Sequence, residues 1–203
     1  AQLLERQLDA ESGQREMARM TGEAVDRMDR ALENLLAWTR FAAPVRHPAR
    51  LEELVSECLE VLDAELVAHR ILLDDRVDPR AIVVADRGQL GWALDNLLRA
   101  AIRAAGDGAT LVLRTPLAHT GLVLHLPTST ASVTAALARW SDGAAAPTTV
   151  AASIGFVLAR TLIERNGGTV RVQAGEGETT LTVTLPAGDE EAEEDEEAAY
   201  PDR

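Results

Sequence analysis

The sequence predicts an α+β protein. An N-terminal helical hairpin is expected to pair with a second copy as a dimeric four-helix bundle, ahead of an α/β sandwich whose mixed sheet is covered by helices on one face. Three patterns carry this reading. A stripe of apolar residues recurs at alternating spacings of four and three along the first third of the chain. Residues 86–105 place Leu90, Ala93, Leu94, Leu97, Leu98, Ala101, Ile102 and Ala105 on one broad helical face. Beyond residue 50 the elements run helix, strand, strand, helix, strand, strand, loop, helix, strand, strand, an order that suits helices packed on one side of a sheet.

Residues 1–9 read as the end of a helix, and Ser12-Gly13 break the chain after it. A long helix follows from Arg15 to about Ala42. Met17, Thr21, Ala24, Met28, Ala31, Leu35 and Trp38 form its seam, and Val25, Leu32 and Leu36 widen it to the face of a bundle helix. The short preceding helix cannot cover so long a stripe, so these seven residues are the expected dimer interface. Pro44 and Pro48 end the helix and bracket a linker over 44–50. Leu51, Leu54, Val55, Cys58, Leu59, Val61, Leu62, Leu66 and Val67 mark an amphipathic helix over 50–68. Ile71-Leu72-Leu73 is a short strand, Asp78-Pro79 a turn, and Ala81–Ala85 a short buried strand leading into the central helix. Gly106-Asp107-Gly108 closes that helix. Thr110–Arg114 and Leu122–Leu126 alternate as a hairpin. Residues 127–150 are rich in Thr, Ser, Ala and Pro, with a short helical piece near Val133–Trp140. A second strong helix covers 151–165, Asn166-Gly167-Gly168 caps it, and residues 169–174 and 179–185 form a closing hairpin. The domains are thus 1–43, the linker 44–50, the sandwich 51–187 and a tail over 188–203.

Composition narrows the function. Net charge is −13, but residues 188–203 hold nine acidic residues and one arginine, which leaves only −5 for the rest. The tail has almost nothing to bury and reads as a disordered, solubilising terminus. No basic stripe exists to neutralise phosphates, which argues against nucleic-acid binding. No apolar run approaches the roughly 18 residues of a membrane span. The single cysteine, Cys58, excludes an internal disulfide framework and a cysteine metal cluster. A cytoplasmic location is expected, and no metal site is.

The segments RMDRALENLLAWTRFAAP, VVADRGQLGWALDNLL and ARTLIERNGGTVRV resemble the sensor histidine kinases of two-component systems. The similarity extends over nearly all of residues 1–186. It implies a dimerisation and phosphotransfer hairpin followed by an ATPase-like, histidine-kinase-type sandwich. In the family the helix after the Ala-Asp strand end carries Asn-Leu-Leu and then a second asparagine, which coordinates the magnesium on ATP. Asn96 matches the first asparagine, and Ala100 stands where the second belongs. The family's Asp-x-Gly-x-Gly box, whose aspartate holds adenine, falls on Thr128, Thr130 and Ser132. Its second glycine box, beside the phosphates, falls on Ala151, Ser153 and Gly155, of which only Gly155 is a glycine. Asn96 and Gly155 are retained, and each has an ordinary structural role available.

The resemblance also implies a phosphoacceptor histidine, followed by Asp or Glu, on the first bundle helix. The four histidines are His47, His69, His119 and His125, and none occupies such a place. All four read as structural or exposed, so no catalytic residue is assigned. Four family features fail together while the apolar framework is intact. The expectation is a degenerate, pseudokinase-like member with no intact nucleotide site, binding neither ATP nor magnesium. Such a protein would serve as a dimeric interaction or scaffold module for a response regulator receiver domain or a partner histidine kinase. The alternatives are a phosphotransferase within a phosphorelay, or an active sensor kinase, with the phosphoacceptor upstream of residue 1.

Overall fold

Alternation along the strands and a wide apolar face on the central helix leave one efficient packing, with the sheet's inward leucines and valines against three helices. The computed structural model describes residues 13–116, 120–127, 150–174 and 177–188. They fall into two compact units that divide between Phe41 and Ala42. The first unit is the single helix α1 (Gly13–Arg40). Met17, Met20, Val25, Met28, Leu32 and Leu36 are exposed along it. The helix expected over 1–9, and the side chains of Ala31, Leu35 and Trp38, lie outside what is described.

The second unit runs β1 (His47–Arg50), α2 (Leu51–Ala68), β2 (Leu72–Arg76), β3 (Ile82–Ala85), α3 (Arg87–Ala105), β4 (Thr110–Arg114), β5 (Gly121–Pro127), α4 (Val150–Arg165), β6 (Thr169–Ala174) and β7 (Glu178–Thr184). Five strands form one mixed sheet in the order β2-β4-β5-β7-β6. The β2–β4 pair is parallel and the other three are antiparallel. Leu111, Leu113, Leu122, Leu124, Leu126, Leu181 and Val183 are buried on the covered face. The helices answer with Leu54 and Leu62 from α2, Leu90, Leu94 and Ile102 from α3, and Phe156, Leu162 and Ile163 from α4. Leucine and valine build this core, as the 3% aromatic content requires.

The linker assignment needs a correction at its end. Residues 47–50 form β1, which pairs antiparallel with β3, His47 opposite Ala85 and Arg50 opposite Ile82. His-Pro-Ala-Arg has no alternating apolar pattern, and Pro48 removes a donor. A two-stranded ladder tolerates both, because only one edge of β1 is paired. The strand read at 71–73 also runs on through Asp74-Asp75-Arg76, charged residues admissible at a sheet edge.

Gly121, at the start of β5, has φ 149°, and a Cβ there would sit 2.0 Å from the Val183 carbonyl oxygen, so only glycine lets β5 meet β7 this closely. The expected helical piece at 133–140, His119 and the tail beyond Gly188 lie outside the described residues. Among the described residues no helix is long and apolar enough to cross a membrane.

Candidate functional site

The helix that bears Asn96 is fixed at its first turn. Asp86 is the N-cap of α3, and its Oδ1 accepts the Gln89 N–H at 3.0 Å. Its Oδ2 accepts the Val45 N–H at 3.1 Å. The Asp86 N–H itself donates to Oδ1 of Asn166, at 2.7 Å. Asn166 is fully buried just past α4, and its Nδ2 donates to the Leu162 carbonyl at 2.9 Å and to Gln89 Oε1 at 3.3 Å. Gln89, 3% exposed, passes the connection on by donating to the Ala42 carbonyl at 3.1 Å. Arg165 donates to the same carbonyl at 2.7 Å, and Arg46 donates to the Arg165 carbonyl at 2.6 Å. The start of α3, the end of α4 and the segment 42–46 are therefore joined by one network, in which the buried amides of Asn166 and Gln89 are extended outward by the Asp86 carboxylate and the Arg46 and Arg165 guanidinium groups. The sequence marks Asn166 only as a helix stop and does not mark Gln89. Neither Asp86-Arg87-Gly88-Gln89-Leu90-Gly91 nor Glu164-Arg165-Asn166-Gly167-Gly168 carries a local pattern that marks the amide.

Further along α3, Asn96 is half-buried, and its Nδ2 donates to the Trp92 carbonyl at 3.0 Å. Ala100 is one turn on and also half-buried. The adjacent Asp95 carboxylate is held by Arg99 at 2.9 Å, and Arg99 also binds Glu65 of α2. Along this stretch of α3 the neutral polar group is thus one amide, and the position a turn later offers a methyl group with no donor atom. Magnesium takes oxygen ligands in near-octahedral geometry, and a methyl supplies none.

Helix α4 begins at Val150, so the stretch Ala151–Phe156 is helical throughout. Gly155 is buried in its second turn, and the side chains of Ala151 and Ser153 lie outside what is described. β5 ends at Pro127, and Thr128, Thr130 and Ser132 also fall outside the described residues. Of the positions singled out from the sequence, the structure thus places Asn96 and Ala100 on one helix and Gly155 on the helix packed beside it.

The described histidines have structural surroundings. His125 lies on the sheet face opposite the helices. Its Nε2 accepts from Arg114 Nε at 2.9 Å, which leaves Nδ1 to donate to Glu178 Oε1 at 2.9 Å. His69 caps α2 with Nδ1 2.8 Å from Asp107 Oδ1, and His47 is in β1. Cys58, buried between α2 and α3, has its thiol pushed up to about 12 by burial and by the nearby Asp95 and Glu57 charges.

No protein-family model and no curated protein matches the sequence. Solved structures match it in fold. The nucleotide-free catalytic domain of histidine kinase ThkA gives a TM-score of 0.57 at 19% identity over 70% of this chain and 95% of that one. ThkA in complex with the response regulator protein TrrA gives 0.63 at 17% identity, over 92% of this chain and 55% of the other. Full-length ShkA in complex with AMPPNP gives 0.61 at 21% identity, over 92% and 41%. At these identities the likeness is one of fold: the chain has the architecture of histidine kinase catalytic domains.

Proposed function

We propose that this chain is a two-component signalling protein that keeps the histidine-kinase fold without its nucleotide chemistry. It acts in the cytoplasm as a dimeric interaction module for a receiver domain or a partner kinase. The observation that carries the reading is Ala100. Helix α3 is formed, capped and buried as a kinase helix would be, yet the position of the magnesium asparagine holds a methyl group. The threonines, serines and alanine at positions 128, 130, 132, 151 and 153 extend the same loss to the adenine and phosphate sides. A receiver domain as partner is supported by ThkA, which shares the fold and is solved with a response regulator protein.

Helix α1 supports the dimer. Met17, Met28, Leu32 and Leu36 are more than half exposed along it, an apolar stripe that a second copy would cover. Thr21 fits such a seam because its hydroxyl donates to the Met17 carbonyl at 2.8 Å and is left with no unmet donor.

A second reading, an active kinase or phosphotransferase with its histidine upstream of residue 1, is favoured by one observation: ShkA, of the same fold, is solved with AMPPNP. Incubation of the chain, joined to the upstream histidine-bearing segment that the second reading requires, with labelled magnesium ATP and a receiver domain separates the two. The first reading expects no label on either protein and a sedimenting dimer that Met28→Lys splits into monomers. Label on the chain or the receiver would establish the second.

A further inference from the structure

Helix α2 has two faces with apolar side chains. Leu51, Leu54, Val55, Cys58 and Leu62 are buried in the core. Leu59, Leu66 and Val67 instead line an open groove between α2 and β2, with Leu72 and Leu73 as its other wall. Val67 is 68% exposed on the α2 side of the groove, and Leu73, opposite the buried Leu111, turns its side chain to the same helix-covered face of β2.

The backbone beside the groove is also open. β2 is the first strand of the sheet and pairs only with β4 among the described residues. The Leu72 N–H donates to the Ala109 carbonyl, and Leu72 is opposite Thr110. In a parallel ladder this register turns the amides of residues 72, 74 and 76 toward β4. Leu73 and Asp75 then present their N–H and C=O groups to the free edge, where an added strand would bond.

Charge selects the occupant. Helix α2 contains six acidic residues and no basic one. Glu53 and Glu57 pair with Arg87, and Glu65 with Arg99. Glu60 and Asp63, which line the groove along α2, form no ion pair among the described residues, and Arg70 lines it beyond the C-terminal end of that helix. Their carboxylates suit a basic partner.

We infer that the α2–β2 groove is a docking site for an extended segment of a partner protein, apolar at alternate positions and carrying Lys or Arg where it passes α2. The segment adds to β2 as a sixth strand. Its backbone bonds to Leu73 and Asp75, its apolar side chains cover Leu59, Leu66 and Leu73, and its cations meet Glu60 and Asp63. The site is separate from the face of α3 that bears Asn96 and Ala100, so it does not depend on the fate of nucleotide binding.

The probe is a fluorescein-labelled synthetic peptide in which valine alternates with lysine, titrated with the full chain and followed by anisotropy. Saturable binding is expected, with slowed amide exchange at Leu73 and Asp75. Leu73→Pro should weaken it at least tenfold at an unchanged melting temperature, because that N–H takes no part in the β2–β4 ladder and proline is tolerated at such an edge. Val67→Lys, at an exposed position, provides the same test should the proline variant melt early. Asp63→Lys should shift preference to a valine–glutamate peptide. Absence of binding, or binding insensitive to both Leu73→Pro and Val67→Lys, overturns the inference, the latter pointing to a surface charge effect or a helix lying on α2. Self-association that Leu73→Pro removes, with no peptide binding, would overturn it in favour of a second copy of this chain.

Discussion

Asn166→Ala would test the network that sets α3 against α4. The side chain is fully buried and makes hydrogen bonds to Asp86 N–H, Gln89 Oε1 and the Leu162 carbonyl. The Leu162 carbonyl keeps a second partner, the Asn166 N–H at 3.0 Å. The Asp86 amide and Gln89 Oε1 lose theirs. Two orphaned polar groups at about 1.5 kcal/mol each give a loss of about 3 kcal/mol. In a domain of this size that lowers the melting temperature by roughly 6–12 °C. Urea denaturation followed by circular dichroism measures the first quantity and a thermal scan the second. Hydrogen exchange should show the Asp86 and Val45 amides losing protection together, since Asp86 holds Val45. A loss below about 1 kcal/mol, or unchanged exchange at Asp86, would refute the assignment.

Other outcomes follow from single contacts. Cys58 should resist Ellman's reagent at pH 8 in the folded chain and react fully in denaturant, because its thiol is buried and its pKa is pushed up to about 12. The sign of the linked effect is fixed: above the unfolded thiol pKa of about 8.5 the unfolded chain loses a proton that the folded chain keeps, so stability falls as pH rises toward 12, and Cys58→Ala should remove that part of the alkaline slope. Gly121→Ala places a methyl carbon 2.0 Å from the Val183 carbonyl oxygen at a φ unfavourable to other residues, and should cost more than about 3 kcal/mol by denaturant titration or abolish soluble expression.

Periodicity made much of the fold readable. The seam of α1, the broad face of α3 and the alternation of β4, β5, β6 and β7 each have one period that fits, and the structure places those elements within a few residues of the sequence boundaries. β1 was hidden because His47-Pro48-Ala49-Arg50 has no apolar alternation to show its pairing with β3. The turn of the chain at Asn166 was legible, but not its hold on Asp86, 80 residues away, since a hydrogen bond between distant positions leaves no local trace. The α2–β2 groove was equally silent: Leu59, Leu66 and Val67 share the apolar pattern of α2 with its core residues, and nothing in that pattern says which of them line a groove. At the candidate site, Ala100 was readable as a lost donor only against the kinase pattern, because an alanine on a helix is otherwise ordinary.

The most direct test of the central claim is a calorimetric titration of the full chain with AMPPNP in the presence and absence of magnesium. The account expects no saturable heat up to millimolar nucleotide and no difference between the two conditions. Micromolar binding that requires magnesium would contradict it, and would mean that groups other than the residue at position 100 supply the missing ligand.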